Sequence, residues 1–343
     1  METTPAPIVS TSAKWHPSRE DQEVIDGLKR HQAELALTDA QFARDFLTCS
    51  GTVWTRICSG EYWSMVSSGP RVIAERLQDL DRLERTRGFR ARFENSKFIP
   101  TTEARAVFAS IEDCLARPLS SPERMTVYLA PTRGGKTWLT MEATRKFRAV
   151  PVQAREAWRR SYFTCLRDIA QACGVISSKG YFTSGEMERK LVDFFNARRV
   201  VLAIDEGEYF SAEALNLIKY LLNTSTVTIL LCAIGTAYDA WQRRYPHEAA
   251  QILARTNAVI SLEPITASAA LRWFTPFKLE HPEECGQIAA TFANDFGHFA
   301  MLQEIASRFE TGDKVTPGDV RAAGNARRLK WRLPQLSFER REK

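Results

Sequence analysis

Four apolar runs punctuate the middle of the chain, at residues 125–129, 149–152, 200–204 and 227–233. Each is nearly continuous rather than alternating. A strand in a parallel sheet has this pattern because both of its faces are covered by helices. The intervals between the runs carry the helical period instead, over residues 138–147, 162–173, 184–196 and 211–222. Strands alternating with helices predict an α/β domain built on a parallel, helix-covered sheet.

The flanks read differently. A helix is expected over residues 21–36, with Val24, Leu28 and Leu35 among its apolar positions. Residues 38–62 then predict two short helices about a tight turn. Phe42, Ala43 and Phe46 face inward from the first, and Val53, Trp54 and Ile57 from the second. That is the layout of a helix-turn-helix of the phage-repressor type. Residues 64–96 predict a helical connector with Val72, Leu77, Leu80 and Leu83 as its stripe, followed by a basic run of Arg82, Arg85, Arg87, Arg90 and Arg92. No strand is evident beyond Pro264. Residues 268–274, 283–296 and 298–309 predict a small helical lid, and Thr316 caps a further helix.

These patterns divide the chain into a disordered N-terminus (1–18), a helix-turn-helix domain (19–66), a helical connector (67–96), an α/β core (97–262), a helical lid (263–312) and a basic C-terminal helix and tail (313–343).

Composition narrows the function classes. Hydrophobic residues make up 44% of the 343, ordinary for a globular chain, and no apolar run is long enough to span a bilayer. The start is neither basic nor followed by an apolar segment, so no signal peptide is expected, and the location is expected to be cytoplasmic. The seven cysteines lack CxxC spacing and read as reduced, core-filling thiols. Net charge is +6. The last thirty residues hold nine Lys/Arg against three Asp/Glu, which suits a nucleic-acid partner or a solvated basic tail.

The candidate chemistry begins where the first apolar run ends. Ala130-Pro131-Thr132-Arg133-Gly134-Gly135-Lys136-Thr137 has P-loop spacing, with Ala130 replacing the first glycine, and Trp138 opens the helical pattern that follows. Polyphosphate is best held by successive backbone N–H groups and the positive end of a helix. Lys136 would reach the β- and γ-phosphates of ATP, and Thr137 would hold Mg²⁺. The run at 200–204 ends in Asp205 and Glu206. Asp205 suits the Mg²⁺ shell, and Glu206 suits a base for the attacking water. Phe98 and Ile99 are candidates to pack on adenine, with core packing as the plainer alternative. In the helix pair, Ser50, Thr52, Thr55 and Arg56 are placed to meet a DNA groove, and Gln41 to hold a phosphate. One arginine among five predicts weak or sequence-tolerant binding; a helical pair of this kind also serves protein contacts.

In order along the chain, helix-turn-helix, connector, Lys97-Phe-Ile-Pro-Thr101, P-loop, Asp205-Glu206, Gly235-Thr236-Ala-Tyr238, Arg255 and lid resemble the transposon target-selection AAA+ ATPases, the group of the phage Mu B, IstB and TnsC types. The resemblance implies a sensor role for Thr236 and an arginine-finger role for Arg255, with Arg243 and Arg244 as alternatives. It implies a homo-oligomer, filament or ring, that forms on double-stranded DNA with ATP bound and recruits a transposase. The lid stretch 297–302 offers no arginine where relatives often have one, and His298 is its closest substitute. A regulatory DNA-binding ATPase and a nucleotide-dependent scaffold in secretion or defence remain as alternatives.

Overall fold

The computed structural model describes residues 15–91, 98–118, 120–176 and 180–338. The chain divides into two units, residues 1–92 with 170–183, and residues 93–169 with 184–343. The sequence expectations for residues 1–14 and for Lys97 lie outside the described residues.

In the first unit, α1 (Arg19–Glu34) starts with a capping box in which Ser18 and Asp21 exchange side-chain-to-backbone bonds. Thr38 and Gln41 form the same device at the start of α2 (Asp39–Phe46), and Ser50 caps α3 (Gly51–Cys58). Phe42, Ala43, Trp54 and Ile57 are buried, and the indole N–H of Trp54 donates to Gln32 at 2.7 Å. The remaining helix, α4 (Gly69–Ala91), adds Val72, Ile73, Leu80 and Leu83 to this core. Leu77 departs from the expected stripe: it is 40% exposed, and Ile73 takes the inward place.

Arg82, read from sequence as part of a basic run open to solvent or DNA backbone, is buried. Together with Arg76 it flanks Asp79, which is fully buried, with N–O separations of 3.0 Å (Arg76) and 2.9 Å (Arg82). Asp79 also accepts from the backbone N–H and the hydroxyl of Thr48, at 3.0 and 3.2 Å, and Arg82 donates to the Phe46 carbonyl. These arginines therefore pin the turn between α2 and α3 to α4. The side chains of Arg85, Arg87, Arg90 and Arg92 lie outside the described residues.

The second unit opens with α5 (Thr102–Ala116), capped by Thr101. There follow β1 (Met125–Leu129), α6 (Lys136–Phe147), β2 (Val150–Gln153), α7 (Tyr162–Ala172, its last three residues counted with the first unit), α8 (Ser184–Ala197), β3 (Val201–Asp205), α9 (Ala212–Thr224), β4 (Thr228–Ala233), α10 (Gly235–Arg244), α11 (Pro246–Leu253) and β5 (Thr256–Ser261). The strands form one parallel sheet in the order β2-β3-β4-β1-β5. Every residue of β1, β3 and β4 is buried, as the continuous apolar runs predict. The sequence does not announce β5 in the same way. It is an edge strand of half-covered residues, with Val259 exposed, so its pattern is weak.

The segments expected as a lid and a basic C-terminal helix form α12 (Ala267–Leu271), β6 (Lys278–Leu279), α13 (Pro282–Asp295), α14 (His298–Ala306), β7 (Lys314–Val315) and α15 (Pro317–Lys330), packed on one core. That core gathers Phe274, Phe292, Met301, Leu302, Ile305 and Val320. Contrary to the all-helical expectation, β6 and β7 pair in parallel. Two residues per strand are too few to leave a hydrophobic pattern. Part of the basic segment is also absorbed here: Arg328 is buried against Asp295, and Arg327 pairs with Glu304 at 2.8 Å.

All seven cysteines are free, and five are buried, with burial pushing the Cys165 thiol up to about 12. Among the described residues no helix is long and apolar enough to cross a membrane.

Candidate functional site

The loop after β1 and the acids after β3 leave the same edge of the sheet, separated by β4. Ala130 continues β1 and donates its N–H to the Ala233 carbonyl at 3.0 Å, which ties the root of the loop to β4. Its methyl group fills the space beside Gly134, where a Cβ would come within 2.8 Å of it. Smallness is therefore what both positions require, and alanine meets it. Gly135 takes φ = +81° at the cap of α6, a conformation that favours glycine. The buried phenol of Tyr128 donates to the Gly134 carbonyl at 3.1 Å and braces the loop from the sheet side.

Lys136 is buried, and its ammonium donates to the carbonyls of Ala130 (2.9 Å) and Pro131 (3.1 Å). The charge is thus held inside the loop's own curl, where it would meet phosphate oxygens. The Thr137 hydroxyl donates to the Asp205 carboxylate at 2.6 Å. Burial raises the Asp205 carboxyl; bonds from Thr137 and the Glu206 N–H, and the charge of Lys136, oppose that rise. A hydroxyl and a buried carboxylate this close fit the protein share of a Mg²⁺ shell. Among the described residues no three His, Cys, Asp or Glu side chains cluster to hold a metal by themselves. Phosphate and water would have to complete the coordination.

Glu206 has φ = +58°, a strained conformation for a residue with a Cβ. Burial is the main cause that raises its carboxyl above the ordinary glutamate value, and a hydrogen bond from the Gln153 side chain opposes it. Gln153 stands opposite Asp205 in the β2–β3 register, so β2 delivers it directly to the acids. Sequence reading missed Gln153, because nothing in a glutamine at a strand end distinguishes it. It also missed Glu208, which lines the cleft with a buried, unpartnered carboxylate oxygen; the Asp-Glu-Gly-Glu spacing is its signal.

The cleft over these groups has a volume of about 1170 Å³. Phe98, Ile99, Thr132, Arg133, Gly134, Gly135, Lys136, Thr137, Trp138, Asp205 and Glu206 all line it. From the lid come Arg272, Trp273, Phe299 and Gln303, none of them anticipated. Trp273 and Phe299 stack with centroids 6.1 Å apart, and Arg272 donates to the Pro100 carbonyl at 3.1 Å. The cleft thus combines aromatic with charged groups, both of which a nucleotide can use. Pro131 is exposed and contributes its carbonyl. Of the expected participants, Ala130, Pro131, Thr236 and Arg255 are not among the lining residues. Thr236 is exposed in the first turn of α10. Arg255 donates to Asn223 at 2.7 Å and to the Gln251 carbonyl at 2.5 Å. Burial, and secondarily the charge of Lys136, lower the His298 imidazole, which places it within the electrostatic reach of the loop.

In the first unit, Thr38, Asp39, Gly51, Thr52, Thr55, Arg56 and Glu61 line a shallow concave surface on α2 and α3. Thr52 and Arg56 are exposed. Ser50 is engaged as a cap, Gln41 in its capping box, and the Thr55 hydroxyl on Asp39 at 2.7 Å.

Residues 119–240 match the AAA domain family, and the parallel sheet flanked by helices is that of the AAA+ α/β fold. Among solved structures the chain is similar to Cdc6p from Pyrobaculum aerophilum, at 13% identity over 62% of either chain with a TM-score of 0.46. It is also similar to the ORC2 protein of Aeropyrum pernix (14%, 67% of this chain and 70% of that one, TM-score 0.45). A third is the ORC1 protein of the same organism, solved in complex with DNA (16%, 66% and 65%, TM-score 0.44). This chain spans 62% of the length of the Pyrobaculum protein. No curated protein matches the sequence.

Proposed function

We propose that the chain is an ATPase that holds ATP and Mg²⁺ in this cleft, assembles with copies of itself on duplex DNA with little sequence preference, and delivers that DNA to a transposase. The observation that carries the ATP reading is the convergence of Lys136, Thr137, Asp205 and Glu206 at one edge of the sheet, with the Thr137 and Asp205 side chains in contact. Lys136 and the N–H groups from Gly135 to Thr137 bind the phosphates; Phe98, Ile99 and Trp138 flank the nucleotide. Thr137 and Asp205 would hold Mg²⁺, which when bound would supply charge neutralisation on the phosphate oxygens. Glu206 accepts the proton of the attacking water, and Gln153 fixes its carboxylate.

Arg255 is not among the residues lining its own cleft, so a charge-stabilising role for it belongs to a neighbouring subunit's cleft. Thr236, exposed in the first turn of α10 just after β4, would act as the γ-phosphate sensor. Thr52 and Arg56 offer DNA one hydroxyl and one cation. Asp39 and Glu61 share that surface, which agrees with weak, sequence-tolerant contact rather than operator readout. The transposase rests on the order of motifs along the chain. The two acids also favour a second reading, in which the helix pair binds a basic protein segment and the ATPase is a scaffold.

ATP turnover with and without duplex of arbitrary sequence, followed by electron micrographs with plasmid, separates these. The first reading expects faster turnover and long ATP-dependent assemblies. Turnover indifferent to DNA with particles that stay small would leave only the second.

A further inference from the structure

Arg133 sits at the crest of the phosphate loop with φ = +67°, where residues bearing a Cβ are disfavoured. Its guanidinium turns to the lid and lies 4.2 Å from the ring centroid of Trp331, at the end of α15, and 5.5 Å from that of Phe296. The lid holds that indole from its own side. The Arg327 guanidinium lies 4.3 Å from the same ring, and Arg327 is tied to Glu304. Phe296 meets the indole edge-on at 5.1 Å. Gly297 passes so close that a Cβ there would stand 3.2 Å from the ring.

We propose that Trp331 positions the phosphate loop through Arg133. The inference rests on the ATP reading of the cleft. A strained backbone persists where its surroundings over-determine it, and the cation–π contact is what the surroundings supply here. Held at Arg133, the loop keeps Gly135, Lys136 and Thr137, at the start of α6, fixed on the wall of the cleft. Tyr128 fixes the loop from the sheet, and Trp331 fixes it from the lid. Arg133 is then a tether and not a phosphate ligand. The pre-set loop contributes to nucleotide binding equally in ground and transition states.

The test is steady-state ATP hydrolysis by the full chain carrying Trp331→Leu, Trp331→Phe, Arg133→Gln or the pair Trp331→Leu with Arg133→Gln, beside Lys136→Ala. Arg133 is exposed, so its replacement leaves the core intact. Trp331→Leu and Arg133→Gln should each raise KM about two- to fivefold with kcat unchanged, the signature of lost uniform binding. Trp331→Phe, which keeps an aromatic face, should restore KM, and the double variant should be no worse than either single one. Equal KM for leucine and phenylalanine variants, or single effects that add in full, would overturn the proposal. Wild-type turnover no greater than that of Lys136→Ala would remove the ATP reading and the inference with it; wild-type turnover with unchanged KM in the variants would remove the inference alone.

Discussion

Glu206 shows how a single residue is tuned by what the chain packs around it. Burial raises its carboxyl above the ordinary 4.5, while the Gln153 amide holds the charged form in place. The basic form exists above the raised value and is lost as pH falls through it. The acid limb of kcat/KM should therefore lie above the ordinary glutamate range; a limb at or below 4.5 would contradict the assignment. Glu206→Gln should lower kcat by about 10²–10⁴-fold while leaving ATP binding intact. The stability sign follows from the same shift. With Asp205 also raised, the folded chain binds protons more tightly than the unfolded one at these two groups. Their contribution to stability falls as pH rises from the unfolded values through the raised folded ones, so they are not the source of any loss of stability in acid.

At the scale of elements, the sheet and loop were legible because each carried a signal in its own residues. Continuous apolar runs marked β1, β3 and β4, and Gly134-Gly135-Lys136-Thr137 marked the turn into α6. Elements whose identity depends on partners were not legible. The edge strand β5 is half covered, and β6 and β7 are two residues each. Likewise, no local pattern shows that Arg82 is buried, nor that Arg133 turns to Trp331. The Arg76–Asp79–Arg82 cluster gives a prediction at this scale. Removing the shared carboxylate strands two buried cations and frees the α2–α3 turn. Asp79→Ala should cost about 3–5 kcal/mol in urea unfolding of the first unit's signal. A loss below about 1 kcal/mol, the range of exposed pairs, would show that the cluster is solvated.

For the whole molecule, the account joins a nucleotide cleft in one unit to a helix pair in the other. Nothing local dictates that coupling; it is a proposal about copies of the chain meeting on DNA. It predicts that sedimentation with plasmid and ATP gives large complexes, that ADP does not, and that Glu206→Gln complexes persist because hydrolysis no longer releases them. Rapid dispersal of the Glu206→Gln complexes would contradict this order of events. The most direct measurement is isothermal titration of ATP with Mg²⁺ into the wild-type chain and into Lys136→Ala. The account predicts one nucleotide bound per chain in the first and none in the second. Equal binding by both, or none by the wild type, would contradict it.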